Sequence, residues 1–404
     1  MAKRIKPSGK SKSVGPKRPR SLISKRIPES RSERKDLVFM DYASSTPIRE
    51  EVLEAMQPYF KYKFGNPSSL HSYGRDAKLA IEQSKEIIAK TINASPDEIV
   101  FTSGSTESSV LAIRGVAKAK IAYGSHILSS AIEHDPVFST CKSLVTEGYT
   151  LSSLLVDVDG MISIADLRSK ITPKTILVSI QHSNGEIGTI QQIEDVGRIT
   201  KEKNVTLHTD ATFSYGWVPL DVKKMNVDLM SFDAHHSYGP KGIGALYVKN
   251  GTPIKPIFPN RENILRPGTL SVASIVGFAV AAELAHKEMS KTQKNLIKLQ
   301  KMFIDYVEEN IKFVKLNGHL TKRLPNNVNF SFSGITGTEL VKQLEEKGFI
   351  TSTCIDCRVL EAIGVKGEKF TGSVRFTFGK DTTPEEVKSL SITLKSLVET
   401  ARQG

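Results

Sequence analysis

Polar residues that bind anions follow one of the short apolar segments of the sequence. After Phe101 comes a run of hydroxyl residues with one glycine that opens a helical pattern, and its candidate ligands are Ser105 and Thr106. Free backbone N–H groups at a helix start, together with such hydroxyls, bind phosphate. An ordinary helix cap is the alternative interpretation of the same residues.

Histidines and aspartates with acid–base or ligand chemistry follow three further apolar segments. His134 follows the first, Asp210 the second, and Asp233, His235 and His236 the third. Together with the phosphate turn they indicate a site for a charged ligand. Residues two apart on a strand lie on the same face, so two pairs of such residues could also form a metal site, although the position of His208 matches no metal-motif spacing. Its ligands would be His208, Asp210, Asp233 and His235. We favour the charged ligand and predict no bound metal.

The three cysteines are Cys141, Cys354 and Cys357, and the last two form a Cys-x-x-Cys motif. So few cysteines favour a reducing compartment, and we predict a cytoplasmic protein. The motif is compatible with a sulfur-carrying pair, a redox pair or half of a zinc site, and equally with two incidental thiols.

The secondary structure must position these residues, and the hydrophobic pattern indicates its kind. Strand-length apolar segments cover residues 99–101, 126–130, 175–180, 205–208, 229–232 and 244–248. Helical patterns lie at residues 77–91, 105–119, 136–146 and 193–203. Strands alternating with helices predict an α/β fold, with a mostly parallel sheet covered by helices on both faces. Ligands of such sheets bind outside the carboxyl ends of the strands, where the polar residues above are found.

Beyond about residue 285 the pattern changes. A long helical pattern at 287–309 precedes strand-like segments at 328–330 and 373–378, with a helical pattern at 338–347 between them. This order predicts a second, smaller α+β domain. We therefore predict three regions. They are a disordered basic tail at 1–36, a large domain at 37–270 and a small C-terminal domain at 271–404.

The chain of 404 residues has a formal net charge of +13, most of it near the amino terminus. Residues 1–35 contain 13 lysines and arginines but only two glutamates, a net of +11. Such a segment cannot bury enough surface to fold, and its charge suits nucleic-acid phosphates. We expect a solvated extension, with nucleic-acid binding as the alternative. The longest apolar run, 275–282, is too short to span a bilayer, so we predict no membrane partner.

Seven runs of the sequence have the order and spacing of a known family. They are residues 40–43, 64–71, 101–107, 184–188, 210–212, 238–242 and 266–270. From Val38 to about Lys395 the chain resembles class V aminotransferase-fold proteins, specifically the cysteine desulfurases that mobilise sulfur for iron–sulfur clusters. The resemblance implies a transferase of fold type I with a seven-stranded sheet between helices, pyridoxal 5′-phosphate (PLP) as cofactor and a homodimer. It also implies sulfur transfer from L-cysteine to an acceptor protein.

The resemblance implies roles for residues around the cofactor. The phosphate ligands would be Ser105, Thr106, His235 and, across the dimer, Thr269. His134 corresponds to the residue that stacks on the pyridine ring. Asp210 corresponds to the partner of the ring N–H, which keeps the ring protonated as an electron sink.

Other positions correspond to substrate and sulfur chemistry. Asn184 would lie near the ring hydroxyl and the substrate, and Arg375 would bind the substrate carboxylate. Family members carry a nucleophilic cysteine on a mobile loop, where this chain has Cys354 and Cys357 on a shortened loop. The candidate catalytic residues are therefore His134, His236, Cys354 and Cys357.

Three positions depart from the family pattern. His236 stands where the family has the lysine that binds PLP covalently, and an imidazole cannot form a stable neutral imine. Asp233 replaces a serine that binds phosphate, and Phe213 replaces a glutamine that binds the ring oxygen. Lys241 belongs to a Gly-Pro-Lys-Gly turn that the family also has, so it does not replace the missing amine.

These departures decide the predicted function. We predict a protein of the cysteine desulfurase family in which PLP-dependent sulfur transfer is impaired or lost, a pseudoenzyme. The alternative is a non-catalytic paralogue that serves as a dimeric scaffold or binding partner in sulfur or nucleic-acid pathways.

Overall fold

A computed structural model describes residues 37–260, 264–354, 357–365 and 372–403. The predicted tail at 1–36 lies outside these residues.

Twelve strands are found in the described residues. They are β1 (Val38–Phe39), β2 (Ile99–Thr102), β3 (His126–Ser130), β4 (Thr150–Leu154), β5 (Thr175–Ser179), β6 (Thr206–Asp210), β7 (Leu229–Asp233), β8 (Gly244–Val248), β9 (Val314–Asn317), β10 (Asn327–Phe332), β11 (Phe349–Ile350) and β12 (Gly372–Thr377).

Ten α-helices accompany them in the same residues. They are α1 (Glu50–Lys61), α2 (Ser72–Thr91), α3 (Ser105–Lys120), α4 (Asp135–Val145), α5 (Ile164–Lys170), α6 (Ile193–Glu202), α7 (Val272–Asn310), α8 (Gly337–Glu346), α9 (Arg358–Ala362) and α10 (Pro384–Ala401). Short 3₁₀ turns cover Pro96–Glu98 and His235–Ser237.

Seven strands form the central sheet, in the order β2-β8-β7-β6-β5-β3-β4. β8 runs antiparallel to both of its neighbours, and the other pairs are parallel. Parallel neighbours require crossover connections, and helices such as α4 and α6 provide them. The predicted α/β fold with a mostly parallel seven-stranded sheet is confirmed.

Both faces of the central sheet are buried, because successive side chains of a strand point to opposite faces. Leu128 of β3 and Val178 of β5 belong to a core that includes residues of α2, α6 and α7. Their chain neighbours Ile127 and Leu177 belong to a second core with α3 and α4. Apolar residues at consecutive positions are what a sheet covered on both sides requires.

A smaller antiparallel sheet follows, in the order β12-β10-β9. Its core contains Phe330 and Phe376 together with Phe303 of α7. Strand β1 pairs with β11, which brings the start of the described chain to this part of the molecule. The division at residue 270 stays a prediction.

Helix α7 begins earlier than the sequence predicted, at Val272 instead of residue 287. Its first turns include Ile275 and Phe278, which are buried in the central-sheet core. Later turns contribute Leu296 and Phe303 to the core of the smaller sheet. The amphipathic pattern is weak where apolar residues fill 275–282, so the sequence did not reveal the start of the helix.

Local sequence sets where several helices begin. Thr383 and Glu386 cap the start of α10 reciprocally, and Thr336 accepts a hydrogen bond from the backbone at the start of α8. Such caps satisfy N–H groups that have no partner inside the helix. None of the helices in the described ranges is long and apolar enough to cross a membrane.

Candidate active site

The polar residues predicted to form a site lie at one edge of the central sheet. β3, β5, β6 and β7 are parallel neighbours, so their carboxyl ends meet there. His134 follows β3, Asn184 follows β5, Asp210 ends β6 and Asp233 ends β7. Helix α3 begins at the same edge with Ser105, whose hydroxyl reaches Asp233.

Asp210 and His134 are hydrogen-bonded to each other, with 3.0 Å between Oδ2 and Nδ1. The other carboxylate oxygen accepts from the backbone N–H and the hydroxyl of Thr212. Burial opposes ionisation of Asp210, but these bonds and the charge of His134 keep its pKa below the usual value. Burial likewise opposes protonation of His134. The hydrogen bond to Asp210 and the charge of that carboxylate outweigh the effect of burial, so the pKa of the imidazole is raised. Asp210, the expected partner of a pyridine N–H, is thus paired with His134.

Asp233 is fully buried and lies at the centre of a second polar cluster. Its Oδ2 accepts from the Ser105 hydroxyl at 2.7 Å, and its Oδ1 lies 2.9 Å from Nδ1 of His236 and 3.2 Å from Nδ1 of His235. Burial opposes the charged form of Asp233, yet both histidines and Ser105 favour it and hold the pKa at about 2. A carboxylate therefore occupies the helix start where the sequence predicted a phosphate.

His236 is held at both ring nitrogens. Nδ1 faces Asp233, and Nε2 donates to the carbonyl oxygen of Ala43 at 3.0 Å. Its side chain is only 8% exposed, so the ring is fixed in a buried position. The position corresponding to the family's lysine is therefore occupied by a fully engaged imidazole.

Phe213 fills the space between the two histidines. Its ring centroid lies 5.2 Å from that of His134 and 5.2 Å from that of His236, both nearly edge-to-face. A Cβ on Gly185 would come within 2.5 Å of the same ring, so any larger residue there would displace Phe213. The cavity lined by Phe213, His236 and Trp217 has a volume of about 10 Å³, room for about one water molecule.

Asn184 and Arg375 are engaged with other groups of the chain. The Asn184 amide donates to the carbonyl of Ile132, and its oxygen accepts from the backbone of Glu186 and Ile187. The Arg375 guanidinium is buried and ion-paired with Asp41 and Glu186, at 3.0 and 2.5 Å.

These partners of Arg375 were not predicted as site residues. Asp41 and Glu186 both lie in runs that carry the family resemblance, which was the signal available. A substrate carboxylate reaching Arg375 would compete with two carboxylates that are already in place.

Thr106 and Thr269 are exposed and lie on neighbouring segments. The Thr269 loop is joined to the first turn of α3 by Arg266, whose Nε lies 3.2 Å from an oxygen of Glu107. Any contact that Thr269 makes across a dimer lies outside a single chain, so this role stays a prediction.

Cys354 and Cys357 are joined by a disulfide. Cys357 is buried in a small apolar cluster with Ile132 and Ile187, and the next residue, Arg358, donates to the carbonyls of Ala131 and Glu133. Cys357 is thus fixed beside the segment that leads to His134. In this state neither cysteine offers a thiolate.

Glu133 has no role in the sequence prediction, although it lies at this edge of the sheet. It is fully buried, and it accepts hydrogen bonds from the Ser130 hydroxyl and the backbone N–H of Gln181. Burial outweighs these bonds and raises the pKa of Glu133 to about 8. Its position next to His134 was visible in the sequence, but its burial was not.

The alternative metal site with His208 as a ligand is wrong. Both ring nitrogens of His208 lie 2.8 Å from serine hydroxyls, those of Ser179 and Ser231. Asp210, the second member of that set, is engaged by His134 and Thr212. The structure instead brings Asp233 and His235 together with His236.

PLP does not fit the residues as they are arranged. The helix-start hydroxyl of Ser105 binds Asp233, the ring of Phe213 fills the adjoining space, and His236 has no amine to form an imine. Asp210 and Asn184 also have their hydrogen bonds satisfied by the chain itself.

Comparisons with known proteins agree with the resemblance seen in the sequence. The family described as Aminotransferase class-V matches residues 38–390. A protein named cysteine desulfurase IscS from Dictyoglomus turgidum is 44% identical over 90% of this chain and 95% of its own length. Another of that name from Clostridium botulinum (strain Hall) is 41% identical over 91% and 95%.

Solved structures agree with the fold. A structure titled "NIFS-LIKE PROTEIN" has a TM-score of 0.86 and 35% identity, covering 90% of this chain and all of its own. A second, "SspA in complex with cysteine", has a TM-score of 0.75 and 33% identity, covering 85% and 99%. The chain therefore belongs to the class V aminotransferase family, whose cysteine desulfurases are PLP-dependent enzymes of sulfur transfer.

Proposed function

We propose that this chain is a cysteine desulfurase-family protein that does not carry out PLP-dependent sulfur transfer. The observation that carries the proposal is the environment of His236, which donates to Ala43 and faces Asp233. A ring nitrogen cannot replace a primary amine in imine formation, and this imidazole is held in place between Asp233 and Ala43.

Two neighbouring contacts support the proposal. The Asp233 carboxylate is fixed at the start of α3 by Ser105, where it would repel a phosphate. Two such charges about 4 Å apart at an effective dielectric constant of 20 repel by about 4 kcal/mol. Phe213 occupies volume between His134 and His236, so a flat ring could enter only if Phe213 moved.

The test is chemical. The chain as purified is reduced with borohydride and measured by intact mass, with a PLP-binding cysteine desulfurase as the positive control. We expect no pyridoxyl adduct and no yellow colour. An adduct on any lysine, Lys241 included, together with sulfide release from L-cysteine would overturn the proposal.

The second candidate function is that of a dimeric scaffold, and an exposed apolar surface favours it. Residues of α1, α2 and the loop between them expose large apolar side chains, and Phe64 and Tyr73 pack together at 5.5 Å. The exposed apolar side chains are those of Phe60, Tyr62, Phe64, Leu70 and Tyr73, with exposed fractions of 51 to 90%. Several large apolar side chains exposed on neighbouring elements favour a protein interface.

We expect the wild-type chain to be a dimer by light scattering and the Leu70→Asp variant to be a monomer with unchanged circular dichroism. Ile297, exposed by 53% on α7, provides the control, because Ile297→Asp should leave the dimer intact. A monomeric wild type would contradict the scaffold function.

A further inference from the structure

The 3₁₀ turn after β7 brings three potential metal ligands together. Asp233, His235 and His236 each offer one ligand atom, and these atoms lie within 4.8 Å of one another. The Oδ1 atom of Asp233 lies between two imidazoles, 2.9 Å from Nδ1 of His236 and 3.2 Å from Nδ1 of His235.

The hydrogen bond to Ala43 determines which nitrogen of His236 carries hydrogen. A backbone carbonyl only accepts, so Nε2 must be the donor. A neutral imidazole has one N–H, so Nδ1 directs a lone pair at the carboxylate oxygen of Asp233. Nδ1 of His236 therefore offers a ligand atom beside Oδ1 of Asp233.

We propose that Asp233, His235 and His236 bind a divalent transition metal of the zinc type. A metal ion accepts lone pairs from the carboxylate and both imidazoles at once, and so uses all three atoms that the turn assembles.

The spacing of the ligand atoms agrees with such an ion. Zinc lies about 2.0–2.2 Å from imidazole nitrogen and carboxylate oxygen, so neighbouring ligands in a tetrahedral site are about 3.3 Å apart. The two distances from Oδ1 of Asp233, 2.9 and 3.2 Å, are close to this value. Two nitrogens and one oxygen favour zinc, cobalt or nickel over magnesium and calcium, which need six or more oxygens.

The surroundings supply the support that metal ligands usually have. His236 donates its other N–H to a backbone carbonyl, and the second oxygen of Asp233 accepts from Ser105. Such bonds fix the tautomer and orientation of ligands. Asp233 is fully buried, whereas the His235 side chain is 26% exposed, so solvent reaches the site from the His235 side. A water molecule there would complete the coordination.

The test is calorimetric titration of the full chain with Zn²⁺ after treatment with a chelator. Cys354→Ser and Cys357→Ser are introduced into every sample, because reduced cysteines would also bind zinc. We expect one site per chain in this background. We expect His235→Ala to weaken binding by at least about 100-fold, because it removes one of three ligands. His286 is exposed on α7, and His286→Ala serves as the matched control with unchanged affinity.

A second measurement guards against misfolded variants. Zn²⁺ should raise the thermal unfolding temperature of the background protein and of His286→Ala, but not of His235→Ala. Equal zinc affinity in the presence and absence of His235, or no binding at all, would overturn the proposal. Neither result bears on the borohydride test, so this proposal and the proposed function fail separately.

Discussion

The Nδ1 atom of His134 lies 3.0 Å from Oδ2 of Asp210, and this contact joins the loop after β3 to the end of β6. Asp210 is 2% exposed at its side chain, so its charge depends on partners within the chain. The buried carboxylate of Asp210 is thus paired with a side chain of the same chain rather than with a bound ligand.

The first prediction concerns this pair. His134→Ala leaves the buried Asp210 carboxylate without its charged partner, and we expect the free energy of unfolding to fall by about 2 kcal/mol. In an Asp210→Asn background the same change should cost about 1 kcal/mol less. Denaturant unfolding of the four proteins at pH 7 measures the coupling, and additive effects would contradict the ion pair.

The second prediction is a pH dependence caused by Glu133. Its pKa is about 8 in the folded state, above its value of 4.5 in the unfolded chain. As the pH rises, the unfolded chain therefore loses this proton before the folded chain does. The contribution of Glu133 to the free energy of unfolding is fully present below about pH 4.5 and is lost as the pH rises to about 8. The slope from this group is up to about 1.4 kcal/mol per pH unit.

Glu133→Gln keeps the shape and removes the titration. Its free energy of unfolding should therefore vary less between pH 5 and 8 than that of the wild type, measured by urea unfolding at fixed ionic strength. Parallel pH profiles for the two proteins would mean that Glu133 is ionised in the folded state.

The third prediction is that PLP binding can be partly restored. His236→Lys supplies an amine, Asp233→Ser removes the charge at the start of α3, and Phe213→Gln removes the ring that fills the cleft. We expect His236→Lys alone to bind weakly and the triple variant to bind more tightly than the single changes predict, since the three residues share one pocket.

The measurement is the yellow colour and the pyridoxyl adduct after borohydride reduction, mapped to residue 236 by peptide mass. Little sulfide should be released from L-cysteine, because turnover also needs a thiol on the shortened loop to reach the substrate sulfur. A colourless triple variant would mean that the cleft has closed around other contacts.

The fourth prediction concerns residues 1–35, which carry a net +11 of the total +13. A chain that starts at Leu37 should lose most of its retention on heparin at low salt and keep its thermal unfolding temperature. Equal retention of the two chains would assign polyanion binding to the remainder of the protein.

The architecture of the central sheet could be predicted because the strand patterns and the helix patterns are both strong in the sequence. Apolar segments such as 175–180 have strand length and alternate with amphipathic helices, which specifies the central sheet. The start of α7 was missed because the helix is apolar all round where it is buried. The hydrophobic pattern of such a segment does not distinguish a buried helix from a buried strand.

The site was predicted in position but not in detail. The sequence placed His134 and Asp210 at one edge of the sheet, but it could not show that they bind each other. His208 shows the opposite error, since its serine partners come from strands on either side and no local pattern reveals them. Contacts between distant residues, such as that of His236 with Ala43, depend on tertiary structure alone.

Helix α7 is continuous over 39 residues, about 58 Å, and it supplies Phe278 to one core and Phe303 to the other. Neither core can lose its packing without exposing part of the same helix. The backbone amides around Phe278 and Phe303 should therefore exchange with deuterium slowly, at the rate set by unfolding of the whole protein.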